Sequence, residues 1–196
     1  VRQYAAQITE FLRGFDPKVV VTACHTVSSI ALPFLTRRCP ALSFIDVVTP
    51  SVEKALAVTR GSIGVIGTPA TVASGRYEKL CAGSSAKIHL AACPLFVPLV
   101  EEGWLHGPVP EQVAEHYLGP LLERGIDTLI LGCTHYPLLA KVIRRVAGPS
   151  VRMVDTAEET GHRVREFLDR NRLRETSART PVPLLCFSDL PPYYRN

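Results

Sequence analysis

Long apolar runs are missing. No stretch of about eighteen consecutive apolar residues occurs in the 196-residue chain, so nothing reads as a membrane-spanning helix. The opening VRQYAAQITEFL has neither the basic patch nor the apolar core of a secretory signal. Short cysteine spacings are missing too. The six cysteines stand at 24, 39, 81, 93, 133 and 186, with no CxxC pair, which excludes the usual short-spaced zinc knuckle and a Cys-dense disulfide scaffold. A reducing, cytoplasmic setting is the simpler expectation. No strong excess of one charge exists. Charged residues make up 20%, the net charge is +4, and much of the excess lies between Arg163 and Arg179. A solvated tail accounts for that better than nucleic-acid binding. An initiator Met is absent and the chain opens in a helical pattern, so a fragment or processed product is expected. What is present is 46% hydrophobic residues, enough for a core and for one or two domains.

The apolar residues fall into short runs, each followed by a helical pattern. QYAAQITEFLR (3–13) has helical spacing and Gly14 ends it. Val19, Val20 and Val21 form an unbroken apolar strand, and TVSSIALPFLTRR reads as a helix disturbed at Pro33. Strand and helix then alternate through LSFIDVV and PSVEKALAVT, SIGVIGT and PATVASGRYEKLC, and KIHLAAC leading into PLFVPLVEEG. After a linker around GPVP come the helix EQVAEHYLGPLLERG, the strand IDTLILGC and the helix YPLLAKVIRRVAG. VRMVDT and AEETGHRVREFLDRN close the series, and LLCFSD in the tail reads as one late strand. Apolar strands without alternation suit a parallel sheet covered on both faces. The alternation argues an α/β fold.

Two strand ends match. KVVVTACHT (18–26) and DTLILGCTH (127–135) each run through a charged residue, an apolar strand, a small residue and a cysteine, then Thr and His in either order. Ligands of open α/β sheets bind at this carboxyl edge. Unpaired N–H groups at the following helix start favour a thiolate, so both thiols are expected below the free value of ~8.5. Paired thiols suggest racemisation: one takes a proton from an α-carbon while the other returns one to the opposite face. The neighbouring Thr and His residues can hold a carboxylate and orient the thiols. Each cysteine taken alone also reads as a small buried hydrophobe. A zinc site from Cys24, His25, Cys133 and His135 is the chemical rival, although its ligand spacing is unusual.

Over about residues 1–170 the chain resembles the glutamate racemases. VVVTACHTVSS and LILGCTHYPLL resemble the two catalytic segments of that family, IGVIGTPATVASGRYEKL its middle glycine-threonine segment, and ACPLFVPLVEEG the segment carrying a supporting glutamate. Aspartate and hydantoin racemases share paired cysteines, but CPLFVPLVEEG points to the glutamate enzymes. The resemblance implies an isomerase that interconverts L- and D-glutamate with no metal, pyridoxal phosphate or other cofactor. It would supply D-glutamate for peptidoglycan, and hence for cell-wall biogenesis and cell shape, in the cytoplasm and commonly as a homodimer.

By the same resemblance, Cys24 serves the D substrate, Cys133 the L substrate, and Glu101 assists Cys133, with Glu102 as the alternative. His135 sits beside the second thiol, and His25, Thr26, Thr71 and Thr134 contact substrate. Without it, Thr71 reads as a helix-start residue, Glu101 as a solvated acid and His135 as a helix cap or core histidine. The implied fold is two similar α/β domains with mostly parallel sheets facing across a cleft. Residues 1–47 form the first domain, incomplete at its start and completed by 156–196, and 48–155 form the second, with crossings near Val47 and Asp155.

Two departures stand out. The family's leading strand with its Asp-Ser-Gly loop, and its later Tyr-Gly pair, have no counterpart here. Position 25 is His where the family usually has Asn, and a neutral imidazole also offers one donor and one acceptor. These departures leave two rival readings: a catalytically weak racemase-like protein that binds a partner such as DNA gyrase, and a redox- or metal-responsive α/β protein.

Overall fold

In a computed structural model, which describes residues 1–177 and 182–188, the chain alternates strand and helix throughout. Helix α1 (Arg2–Arg13) precedes β1 (Val20–Thr22), α2 (His25–Ile30), α3 (Leu32–Arg38) and β2 (Phe44–Asp46). Strands β1 and β2 pair in parallel, with Thr22 opposite Asp46. Then come α4 (Val48–Val58), β3 (Ser62–Gly67), α5 (Pro69–Ala73), α6 (Arg76–Cys81), β4 (Lys87–Ala92), α7 (Phe96–Glu101) and α8 (Pro108–Glu123). The series ends with β5 (Thr128–Gly132), α9 (Ala140–Ala147), β6 (Arg152–Val154) and α10 (Thr156–Arg170). The second sheet is parallel throughout, in the order β4-β3-β5-β6. The fold is therefore α/β with two parallel sheets.

The core explains why the strands read as unbroken apolar runs. Successive residues of a strand face opposite sides. Leu129 and Leu131 pack with Phe96, Leu118, Leu139 and Ile143 on one face, while Ile130 packs with Val48, Val52 and Tyr77 on the other. Helices cover both faces, so no polar alternation survives. The first sheet has a smaller core, in which the fully buried side chains are Ala5, Ala31 and Leu35. Helix α10 packs against α4 and β2. It is capped by the Asp155 carboxylate, which accepts from the Ala157 and Glu158 amides at 2.9 and 3.1 Å.

Local corrections to the sequence reading have clear causes. The helix expected over 26–38 is two helices meeting at Ala31, with Pro33 in the first turn of the second. The helix expected over 69–81 breaks at Gly75, whose φ of 65° is left-handed. The GPVP stretch is not a linker: Pro108 opens α8, where a missing N–H costs nothing. YPLL forms a 3₁₀ turn, Tyr136–Leu139, ahead of α9. Strand β2 ends at Asp46, short of the expected 42–48. LLCFSD forms no strand over 184–188, where Leu184, Leu185 and Phe187 are exposed, and Asp189 lies outside the described residues. Among the described residues no helix is long and apolar enough to cross a membrane.

Candidate active site

Both matching cysteines stand just beyond the carboxyl end of a parallel strand. Cys24 is the N-cap of α2, with extended backbone at φ −89° and ψ 124°, and its carbonyl accepts the Ser28 amide at 2.9 Å. The Ser28 hydroxyl donates to the Thr22 carbonyl at 2.8 Å, which fastens the start of α2 to the end of β1. Cys24 is exposed and Cys133 is buried, and all six cysteines are free thiols.

Around Cys133 a chain of polar groups runs outward. Its Sγ lies 3.9 Å from His135 Nδ1, and His135 Nε2 lies 2.5 Å from Glu101 Oε1. Glu101, at the end of α7, therefore fixes the imidazole by accepting its Nε2 proton. This tautomer leaves Nδ1 as an acceptor facing the thiol. Transfer of the Sγ proton to Nδ1 would give a thiolate beside an imidazolium whose charge Glu101 balances.

The expected lowering of both thiols fails at Cys133. Burial pushes this thiol up from its ordinary value, and a charged Cys24 would push it further. The His135 and Tyr136 amides and the Thr134 hydroxyl oppose that rise without cancelling it. Sequence locates the helix start but not the desolvation, which here is the larger effect.

Three threonines join the two halves of the site. Thr26 Oγ1 lies 3.1 Å from Thr68 Oγ1 and 2.9 Å from Thr71 Oγ1, and the latter two are 2.9 Å apart. Thr26 belongs to α2 of the first sheet. Thr68 caps α5 of the second, accepting the Thr71 amide at 3.3 Å. Thr71 is fully buried. Thr134 is exposed and shares with His25, Val47 and Thr156 a cavity of about 420 Å³ beside α10.

His25 is turned inward, away from solvent. It is 2% exposed, and burial drives its pKa down to about 4, only partly offset by the Asp46 carboxylate. Among the described residues no three His, Cys, Asp or Glu side chains converge on a point that could hold a metal ion. Sequence reading missed Thr68, Asp46 and Tyr77. Thr68 had a signal, because Thr-Pro-x-Thr is a helix-start pattern. Asp46 and Tyr77 had none, since strand pairing and core packing bring them to the site.

Residues 2–161 match the family described as Asp/Glu/Hydantoin racemase. A glutamate racemase of Chlorobaculum parvum is 42% identical, over 100% of this chain and 73% of that protein. The crystal structure of glutamate racemase from Francisella tularensis in complex with D-glutamate superposes with a TM-score of 0.84 at 32% identity, over 90% of this chain and 66% of that one. The Thermus thermophilus glutamate racemase in complex with beta-chloro-D-alanine gives a TM-score of 0.80 at 40% identity, over 91% and 66%. This chain thus spans roughly two thirds of the solved chains it matches.

Proposed function

The chain belongs to the Asp/Glu/Hydantoin racemase family, and on that premise we propose that it carries the two-thiol centre of a glutamate racemase, producing D-glutamate for peptidoglycan without a cofactor. The observation that carries the reading is the pair of thiols, Cys24 and Cys133, each at the carboxyl end of a strand in a different parallel sheet. Such a pair can face one α-carbon from two sides.

In the L-to-D direction the Cys133 thiolate takes the α-proton, and the Cys24 thiol delivers its own to the opposite face. The reverse reaction exchanges the roles. Glu101 acts through His135, which receives and returns the Cys133 proton. Thr26, Thr71 and Thr134 hold the substrate carboxylate or ammonium from the two halves, and His25, which lines the same cavity as Thr134, contacts the substrate as well. We assign residues 1–47 together with 156–196 to one domain and 48–155 to the other. A homodimer in the cytoplasm, with no nucleic-acid partner, completes the proposal.

The test is loss of optical activity. A solution of L-glutamate incubated with the protein and no added cofactor should lose its circular dichroism signal. An unchanged signal from folded protein would remove the assignment. The two bases separate by elimination of HCl from a β-chlorinated glutamate, which needs only the first deprotonation. Cys24→Ser should still eliminate from the L form and Cys133→Ser from the D form, since an alcohol is a far weaker base than a thiol at neutral pH. If both variants lose elimination from the same enantiomer only, the two-base reading fails.

A further inference from the structure

Glu101 and His135 belong to segments that are not neighbours in the second sheet. Glu101 ends α7, which follows β4, and His135 lies in the turn after β5, with β3 between the two strands. The Glu101 side chain is 54% exposed and that of His135 32%. An ion pair this open to water contributes little and does not fix its own geometry. Something else must set how far Glu101 stands from the imidazole.

Tyr136, the next residue, is fully buried, and its hydroxyl donates to the Cys93 carbonyl at 2.9 Å. Among the described residues, this bond and the Glu101–His135 pair are the side-chain hydrogen bonds that join the β4–α7 segment to the turn after β5. The Tyr136 ring stands edge-on to Phe96, the first residue of α7, with centroids 5.1 Å apart. Phe96 meets Tyr117 of α8 in the same way at 5.4 Å, and the Tyr117 hydroxyl accepts the Leu95 amide at 3.3 Å. Towards the thiol, the Tyr136 amide donates to the Cys133 carbonyl at 3.2 Å and closes the turn that carries His135. Glu101 lies about 7.5 Å along the helix from Phe96, so a shift at Phe96 is carried to the carboxylate. Burial pushes the Tyr136 phenol and the Cys93 thiol up, so this brace is uncharged at neutral pH.

We propose that Tyr136 is a positioning residue for proton transfer at Cys133: its hydroxyl on the Cys93 carbonyl and its ring against Phe96 hold α7 where Glu101 reaches His135. The brace is a feature of the fold, whereas its effect on chemistry rests on the racemase reading. Its reach is one-sided. Cys24, at the end of β1 in the other sheet, lies outside it.

Tyr136→Phe keeps the ring and removes the hydroxyl. Elimination of HCl from the L form of a β-chlorinated glutamate uses Cys133 as base, and from the D form uses Cys24. The variant should eliminate from the L form about tenfold more slowly, the order of loss that a small misplacement brings, and from the D form at the natural rate. General loosening of the fold would slow both forms alike. An unchanged L-form rate, or equal slowing of both forms, would overturn the positioning role. No elimination from either form by the natural protein would count against the racemase reading instead, and the brace is then decided by hydrogen exchange. The Leu99 and Glu102 amides bond to the Leu95 and Pro98 carbonyls around α7. They should exchange about tenfold faster in Tyr136→Phe while the β3 amides keep their rate, and unchanged exchange there would overturn the brace. Should Tyr136→Phe fail to fold, Phe96→Leu, which removes the ring contact and leaves the hydroxyl bond, is read by the same two measurements against the same outcomes.

Discussion

Acid should weaken this fold through a single histidine. His25 has an ordinary pKa of 6.5 and a folded-state value of about 4, because its ring is buried. Between these values the unfolded chain binds a proton that the folded chain refuses. Stability from this group is fully present above pH 6.5, falls as pH drops, and is wholly lost below about pH 4. The gap is worth roughly 3 kcal/mol at about 1.4 kcal/mol per pH unit, and about 2.5 kcal/mol of it is gone by pH ~4.5. With a urea slope of roughly 2 kcal/mol/M, that part of the loss lowers the unfolding midpoint by about 1 M. The assay is urea unfolding, followed by far-ultraviolet circular dichroism, of the natural protein and of His25→Asn, at pH 7.5 and 4.5. Asn keeps a polar side chain at the site and does not titrate. Other groups titrate equally in both proteins, so the difference between the two pH dependences belongs to His25. Equal falls in midpoint for both proteins would refute the argument, because the imidazole would then be free to protonate where it sits.

Two further outcomes follow from the site and the sheet. Glu101→Gln should lower the racemisation kcat about 10- to 100-fold, the usual cost of losing a group that orients and charges a functional histidine, measured by the rate at which the dichroism of glutamate decays. Gly132→Ala should destabilise the fold by about 1–3 kcal/mol, seen as a lower thermal midpoint, because the added Cβ would stand 2.6 Å from the Ile66 carbonyl oxygen.

The α/β order was legible because parallel strands buried on both faces read as unbroken apolar runs, as at Leu129, Ile130 and Leu131. The matched strand ends were legible for the same reason, since the end of each run marks where Cys24 and Cys133 emerge. Helix interruptions were harder. Gly75 breaks a helix only because its backbone is left-handed, and that conformation is one option among several for a glycine. Burial was not legible at all. Nothing in ACHT tells that His25 turns inward while Cys24 stays exposed, and nothing in LGCT tells that desolvation outweighs the helix-start amides at Cys133. Asp46 enters the site only through the pairing of β2 with β1.

The modest core beneath the first sheet bears on motion. Ala5, Ala31 and Leu35 are its buried members, and β1 and β2 pair over three residues each. Segments with little buried apolar area open at lower free energy than the rest of a protein and do so as a unit. Amide hydrogens of β1 and α2 should therefore exchange with solvent ahead of those in β3 and β5. On that expectation the two thiols ride on units of unequal stability, Cys133 on the slower-exchanging one and Cys24 on the faster. Opening of the first unit alone would draw Cys24 away from Cys133 and leave the second sheet intact.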